Sequence, residues 1–171
     1  QAEDGRTPFG NRQATGAGQP INGLYQFNAT LNGFTQVGNP NIGGVTGADN
    51  ASLASQAVGP PLNSVEMSAS GRTFHELGRK MLALKPLGKQ KVDARDSVLS
   101  KLVETKAPGL GLKTTYAAMI QAAFQPVWWN APAGQFISLQ TGNGSTLSFT
   151  QMEANFSLFW GLSIMMYEAT L

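Results

Sequence analysis

The chain has 171 residues, enough for one domain with a buried core, and its 42% hydrophobic content is that of a globular protein. Charged residues make up only 13%, about half of the usual share, which predicts a weakly charged surface partly covered by a partner. The absence of cysteine excludes disulfides, thiol catalysis and cysteine-ligated metal within these residues, and a single histidine excludes the usual zinc ligand sets.

The formal charge of +2 is unevenly distributed. Residues 72–113 contain ten of the twelve basic residues and four of the ten acidic ones, a net charge of +6. Such a segment can bind a nucleic acid or an acidic partner, or it can be the solvated face of helices. Because no aromatic residues interleave with the basic ones, we do not expect nucleic-acid binding, and the solvated face is the favoured interpretation.

Residues 1–50 are rich in Gly, Asn, Thr and Gln and predict a long irregular loop. Alternation over Leu24–Leu31 indicates one short strand within it. A loop of this length in a compact domain is usually functional or packed on a neighbour. We therefore expect an interface element here.

The stretch that begins at Ala51 predicts a short helix, which Gly59-Pro60-Pro61 ends because proline lacks a backbone donor and clashes with the preceding turn. The turn that follows can bring Gln56 and Glu66 together. A glutamine and a carboxylate beside a rigid proline turn can form an acid–base pocket, or they can form a surface turn. The residues alone favour the surface turn.

The remaining elements are predicted from hydrophobic periodicity and from residues that begin or end helices and turns. An amphipathic helix is predicted over residues 72–85, a short one around 93–103 and another over 116–124. Gly142-Asn143-Gly144 predicts a hairpin within residues 135–149. Thr150 and Glu153 form a capping box before an apolar run of about a dozen residues, too short for the roughly 20 that span a bilayer. A buried core helix is expected there.

Two further features have an ordinary structural interpretation. His75 stands beside Phe74 at the start of an amphipathic helix, so a structural or solvent-exposed histidine is favoured over a haem ligand or a base. The pair Trp128-Trp129 follows a proline, and paired tryptophans are usually core anchors.

Several motifs, in the same order, resemble the bacterial di-haem cytochrome c peroxidase superfamily, which includes MauG-like enzymes and, among its large members, haem rubber oxygenases. The block Gln56–Met67 has the pattern Gln-Ala-x-Gly-Pro-x-x-Asn-x-x-Glu-Met, and Asp4-Gly5-Arg6 stands upstream of it. Other motifs that look like the large members are Ser70-Gly71-Arg72-Thr73-Phe74, Leu77-Gly78-Arg79-Lys80, Pro86-Leu87-Gly88-Lys89-Gln90, Asp96-Ser97-Val98-Leu99, Ala122-Ala123-Phe124-Gln125-Pro126 and the run Gln151–Leu162.

The resemblance implies haem c as a cofactor, with calcium as a second one. The family attaches its haems through two Cys-x-x-Cys-His motifs, and this chain has no cysteine. It therefore resembles the segment between those motifs, as an internal piece of a longer polypeptide, a cleavage product or the product of a split gene. The alternative is a secreted subunit that has lost its haems and kept the scaffold.

This resemblance sets the expected fold, which is mainly α with long irregular loops and one or two short β-hairpins, as a segment of a cytochrome c peroxidase-like haem domain. Residues 1–50 would be a Gly/Asn-rich loop insertion, and residues 51–171 one helical domain of a larger protein. The implied partners are the remainder of the haem-bearing polypeptide or a companion haem chain, and an electron-donor protein. No membrane span is expected, and thioether-bound haem implies a periplasmic or extracellular location.

Site residues follow from the same resemblance. Gln56 matches a distal glutamine that donates to bound oxygen, and Pro60 matches a proline that limits access over the iron. Glu66 matches a carboxylate that moves a proton between the two peroxide oxygens.

Other implied roles lie further along the chain. Peroxidase members carry a tryptophan before Asp-Gly-Arg, where this chain has Glu3, and large members use one from the region of Trp129. Trp129 is therefore the implied electron relay, with Trp128 close behind. Phe156 is an implied haem-pocket residue, with core packing as the alternative.

These expectations make the chain part of a di-haem c-type cytochrome peroxidase-like oxidoreductase, supplying the distal pocket of a haem that reacts with peroxide or dioxygen. One alternative is a haem-free structural or electron-transfer-associated subunit of a larger extracytoplasmic assembly. Another is a secreted binding module that uses the Gly/Asn-rich N-terminal part as its contact surface.

Overall fold

The computed structural model describes residues 24–37 and 52–171, so Asp4-Gly5-Arg6, Glu3 and most of the predicted loop insertion lie outside the described residues. The strands are β1 (Leu24–Asn28), β2 (Gly33–Val37), β3 (Ile137–Gln140) and β4 (Thr146–Phe149). The α-helices are α1 (Ser52–Ala57), α2 (Phe74–Leu82), α3 (Tyr116–Ala123), α4 (Gln151–Ala154) and α5 (Phe156–Glu168), with 3-10 turns at Pro60–Leu62, Ser100–Leu102 and Pro126–Trp128.

The strands form two separate antiparallel hairpins. In the first, Leu24 lies opposite Val37. The side chain of Asn28 closes the turn by accepting from the N–H groups of Thr30 and Leu31. In the second, Ile137 lies opposite Phe149. The hairpin predicted within residues 135–149 is confirmed, and the strand predicted at residues 24–31 has a partner, β2, that the sequence analysis missed.

The prediction of a mainly α fold is wrong. Helical residues are 36% of the structure, and they share it with the two hairpins. One cause lies at residues 93–103, where a helix was predicted. The Asp93 side chain accepts from the N–H of Arg95, and that of Asp96 accepts from Val98 and Leu99. These local bonds favour turns over a helix, and only a 3-10 turn follows.

Helix α2 begins at a capping box that the sequence analysis did not single out. The hydroxyl of Thr73 accepts from the N–H of Glu76, whose carboxylate accepts from the N–H of Thr73. Phe74, His75 and Gly78 are buried on the inner face. The helix ends at Leu82 rather than at residue 85. Pro86 disfavours helical geometry at the residue before it, and the N–H of Leu84 already donates to the carbonyl of Met81 in a tighter turn.

The predicted capping box at Thr150 and Glu153 is confirmed, but the helix that it starts breaks at Asn155. Asn155 is fully buried and joins three segments. Its Oδ1 accepts from the N–H of Tyr25 at 2.8 Å, and its Nδ2 donates to the carbonyls of Tyr25 and Trp128, each at 2.8 Å. Gln151 donates to the same Tyr25 carbonyl and to that of Val127. This polar cluster fixes β1 and the Pro126–Trp128 turn to the break between α4 and α5.

The larger hydrophobic cluster lies between α1, α2, α3 and the first half of α5. Gly78 permits the closest approach, because a Cβ there would lie 2.6 Å from that of Phe156. The expected core helix is thus confirmed for residues 156–159 and 161, which are buried, whereas Met166 and Tyr167 near its end are mostly exposed. Within residues 24–37 and 52–171, no helix has the length and apolar character needed to cross a bilayer.

Residues 83–113 form most of the connection between α2 and α3, and we call this segment the basic lobe. Backbone bonds close it, from Leu112 to the carbonyl of Pro86 at 3.0 Å, from Gly111 to Gln90 at 2.8 Å and from Lys113 to Leu102 at 2.7 Å. Gly111 has a φ of 78°, and a Cβ there would lie 2.7 Å from the Pro86 carbonyl oxygen, so glycine is required.

Candidate functional site

An open groove of about 390 Å³ lies between α1, the Pro60–Leu62 turn and the second half of α5. We call it the α1–α5 groove. Its lining is largely apolar, and its polar side chains are Gln56 and Glu168. The residues that line it are Leu53, Gln56, Ala57, Pro60, Pro61, Met67, Trp160, Ile164 and Glu168.

The wall from α1 follows from helical spacing and the proline turn. Leu53, Gln56 and Ala57 are spaced by three and four residues, so they share one face of α1. Gly59 donates from its N–H to the carbonyl of Gln56 at 3.1 Å, which carries the turn of α1 directly into the Pro60–Leu62 turn. Gln56 and Pro60 are thereby placed on the same wall.

The opposite wall is one stripe of α5. Trp160, Ile164 and Glu168 are spaced by four residues and therefore lie above one another on the helix. The indole Nε1 of Trp160 donates to the carbonyl of Ala57 at 3.0 Å, which ties this wall to the end of α1. No functional role is predicted for these three residues from the sequence, although their spacing by four residues indicates a shared helical face.

Gln56 and Pro60 are thus brought together on one groove, whereas Glu66 is not part of its lining. Glu66 is exposed in a turn where the N–H groups of Glu66 and Met67 both donate to the carbonyl of Asn63, at 3.2 and 3.1 Å. Met67 faces the groove, so the backbone of Glu66 lies only about 4 Å from a lining residue. Glu66 is adjacent in sequence to a lining residue but does not line the groove, and Glu168 is the carboxylate on the wall.

The two tryptophans predicted as a relay lie elsewhere. Trp128 and Trp129 are half-buried against the larger hydrophobic cluster, the same cluster on which Trp160 packs. The indole Nε1 of Trp129 donates to the carbonyl of Phe124 at 2.9 Å, which holds the ring in one orientation. Neither ring lines the α1–α5 groove.

Phe156 is placed in the core. It is 4% exposed, lies against Gly78 and has its ring centroid 6.4 Å from that of Trp160. Phe156 therefore supports the groove through Trp160 and does not line it.

His75 is fully buried, so the solvent-exposed alternative is excluded. Its Nε2 donates to the carbonyl oxygen of Gln140 at 3.0 Å. Its ring packs edge-on against that of Phe149, with 4.4 Å between the two ring centroids. Its Nδ1 has no hydrogen-bond partner among the described residues. Burial lowers the pKa of His75, and the bond to Gln140 only partly opposes this effect. These contacts favour a neutral, structural histidine.

An ion pair stands next to this histidine. Arg79 donates to both carboxylate oxygens of Glu153, at 2.9 and 3.2 Å, and also to the carbonyl of Ser148. Its guanidinium lies 3.9 Å above the ring of Phe149. The cluster joins α2, α4 and β4, and it has the character of a structural clamp.

No group of three or more His, Cys, Asp or Glu side chains suited to a metal ion lies within residues 24–37 and 52–171. The structure therefore offers no described cluster for the calcium that the resemblance implies. What the α1–α5 groove offers is an apolar surface, an amide that can donate or accept, and a carboxylate at one end.

Comparison of the chain with known protein families, with curated proteins and with solved structures finds no match.

Proposed function

We propose that the α1–α5 groove forms the distal wall of a haem pocket, in an oxidoreductase that acts on peroxide or dioxygen. The observation that carries this proposal is the position of Gln56 and Pro60, the two residues that the family resemblance puts over the haem. They lie on one wall of an apolar groove whose other wall is formed by Trp160 and Ile164.

The residues present fit one face of a haem. A porphyrin ring is flat and largely apolar, and the groove is open with a mainly apolar lining. Its volume of about 390 Å³ falls within the roughly 300–1,000 Å³ of small-molecule sites, with room for part of the ring. The single histidine is buried beneath the second hairpin, so the attachment and the axial ligand would come from other parts of the polypeptide.

A bound haem c would supply a redox-active iron, and the chain would supply the surroundings of the reacting ligand. The Gln56 carboxamide can donate a hydrogen bond to a ligand in the groove, and Pro60 narrows the space beside it. A carboxylate is needed to move a proton between two oxygens of a peroxide. Glu66 holds this role in the proposal, and Glu168 is the carboxylate that lines the groove.

Trp129 is the proposed electron relay, with Trp128 beside it. Both pack on the cluster that supports Trp160, so aromatic side chains extend from the groove into the core. The hydrogen bond from Trp129 to the Phe124 carbonyl holds the ring in one orientation. The partners in this proposal are the remainder of a haem-bearing polypeptide or a companion haem chain, together with an electron-donor protein. The proposed location is periplasmic or extracellular.

The first test is the intact mass and visible absorbance of the protein purified from its source. A Soret band on a haem-bearing chain or complex supports the proposal. A single species of 18.1 kDa without a Soret band contradicts it and favours the haem-free subunit.

The second test uses variants of the haem-bearing protein and measures turnover with peroxide. Glu66→Gln and Glu168→Gln each keep the size of the side chain and remove its ability to carry a proton. Loss of the proton-transferring carboxylate is expected to lower turnover by about a hundredfold or more. Undiminished turnover in both variants would eliminate a carboxylate proton carrier from the mechanism.

Gln56 is tested in the same assay with a matched control. Gln56→Leu removes the amide from the groove, whereas Gln121→Leu makes the same change at an exposed position of α3. We expect turnover to fall by at least about tenfold in the first variant and to stay unchanged in the second. Equal effects in the two variants would remove Gln56 from the proposed site.

A further inference from the structure

The basic lobe has more positive charge than it can neutralise internally. Residues 83–113 hold seven lysines and arginines against three carboxylates. Two of the carboxylates are committed, Asp93 to Arg95 at 3.2 Å and Glu104 to Lys85 at 2.8 Å. The third, Asp96, accepts backbone N–H groups.

Five lysines of the lobe are exposed and form no ion pair with any described residue. They are Lys89, Lys91, Lys101, Lys106 and Lys113.

The backbone of the lobe collects four of these lysines. Lys89 and Lys91 flank Gln90, whose carbonyl accepts from Gly111 at 2.8 Å. Lys113 lies two residues after Gly111, and its N–H donates to the carbonyl of Leu102 at 2.7 Å. Leu102 is the residue that follows Lys101. The three chain segments therefore run next to one another and bring the backbones of the four lysines together. The carboxylates nearby, Asp93 and Glu104, are paired with Arg95 and Lys85.

We propose that Lys89, Lys91, Lys101 and Lys113 form a docking surface for an acidic protein. Like charges brought together on a folded surface repel one another, and an acidic partner relieves that repulsion. Lysines are well hydrated and mobile, so they accelerate encounter more than they strengthen a final complex. The complex is therefore a transient one whose affinity falls steeply with salt.

The composition of the lobe favours an acidic protein over other polyanions. Residues 83–113 contain no aromatic residue, and their single arginine is held by Asp93. Nucleic-acid surfaces use aromatic stacking and arginine forks, and membrane surfaces use aromatic or amphipathic helical anchors. The lobe contains no α-helix. None of its residues lines the α1–α5 groove, so the proposed docking surface and the groove are separate.

The test measures binding of the whole protein to three probes, a fluorescent oligoglutamate peptide, a single-stranded DNA of equal charge, and phosphatidylcholine vesicles that contain phosphatidylserine. The variant replaces all four lysines by glutamine. We expect its affinity for the peptide to fall on the order of tenfold, since each exposed charge contributes modestly. Raising the salt concentration should abolish the difference, because the Debye length shortens to about 10 Å at 0.1 M.

A control variant carries the same change in net charge on other exposed positions. Its four substitutions are Gln121→Glu, Ala133→Glu, Ser138→Glu and Ser163→Glu. Peptide affinity within about twofold of the wild type in this variant supports a localised surface.

Three results would overturn the proposal. One is a wild-type protein that does not bind the peptide at low salt, and another is an equal loss of affinity in the control variant. The third is tighter binding to the DNA or to the vesicles than to the peptide, which would assign the surface to a nucleic acid or to a membrane.

Discussion

Replacement of Asn155 by alanine tests the polar cluster that joins the first hairpin to the break between α4 and α5. The change removes three hydrogen bonds of 2.8 Å each. The Tyr25 carbonyl keeps a bond from Gln151, but the Tyr25 N–H and the Trp128 carbonyl lose the partner that Asn155 supplied. Each buried polar group left unpaired costs about 1–3 kcal/mol, so with two such groups we expect the free energy of unfolding to fall by about 2–6 kcal/mol.

The assay is urea unfolding followed by tryptophan fluorescence and circular dichroism. Asn143→Ala is the matched control, since that exposed side chain closes a turn by accepting from the Ser145 N–H and the Thr141 hydroxyl. The Thr141 hydroxyl keeps the Ser145 carbonyl as a partner, so we expect the control to cost less than about 1 kcal/mol. Asn155→Asp adds a signature that packing alone cannot produce. Relative to the wild type, it should gain stability as pH falls, because only a protonated carboxyl can again donate to a carbonyl. Equal stability losses in Asn155→Ala and Asn143→Ala would refute the reasoning.

Three other contacts give predictions of their own. Gly78→Ala would place a Cβ 2.6 Å from the nearest side-chain carbon of α5 and should lower the free energy of unfolding by about 1–3 kcal/mol. Gly33→Ala is the control, because the nearest atom to its added Cβ would be 3.7 Å away, and it should not show this loss. Equal losses in the two variants would mean that packing against α5 is not the cause. Burial lowers the pKa of His75 below its ordinary value of 6.5, so the unfolded chain takes up this proton more readily than the folded one. The free energy of unfolding should therefore be highest above pH 6.5 and should decrease as the pH falls below 6.5, by at most about 1.4 kcal/mol per pH unit. Urea titrations between about pH 7.5 and 5.5 should show this slope, and His75→Gln should lack it. Trp160→Phe removes the donor to Ala57 and should cost about 1 kcal/mol in thermal unfolding, and an unchanged melting temperature would show that this bond does not hold α1 to α5.

The elements that could be predicted are those fixed by neighbouring residues. The capping box of Thr150 and Glu153 uses a side chain three residues away, and the hairpin at Gly142-Asn143-Gly144 needs only its own turn.

The elements that could not be predicted depend on distant partners. The apolar run after Thr150 gives no sign of a break, because Asn155 is held by Tyr25, 130 positions away in the chain. The turn after Asn63 decides that Met67, and not Glu66, faces the groove. The stripe of Trp160 could be read as one helical face, but only the hydrogen bond to Ala57 shows what that face meets.

The hydrogen bond between Trp160 and Ala57 spans 103 positions of the chain, so the two walls of the groove meet only through long-range closure. Neither wall can form the groove by itself, and a partly folded chain in which α5 has not docked on α1 has no such surface. Closing a long loop costs entropy that must be repaid by contacts made at the same time. Access to the groove is therefore a measure of complete folding, and a ligand that fills it would select the fully assembled chain over every intermediate.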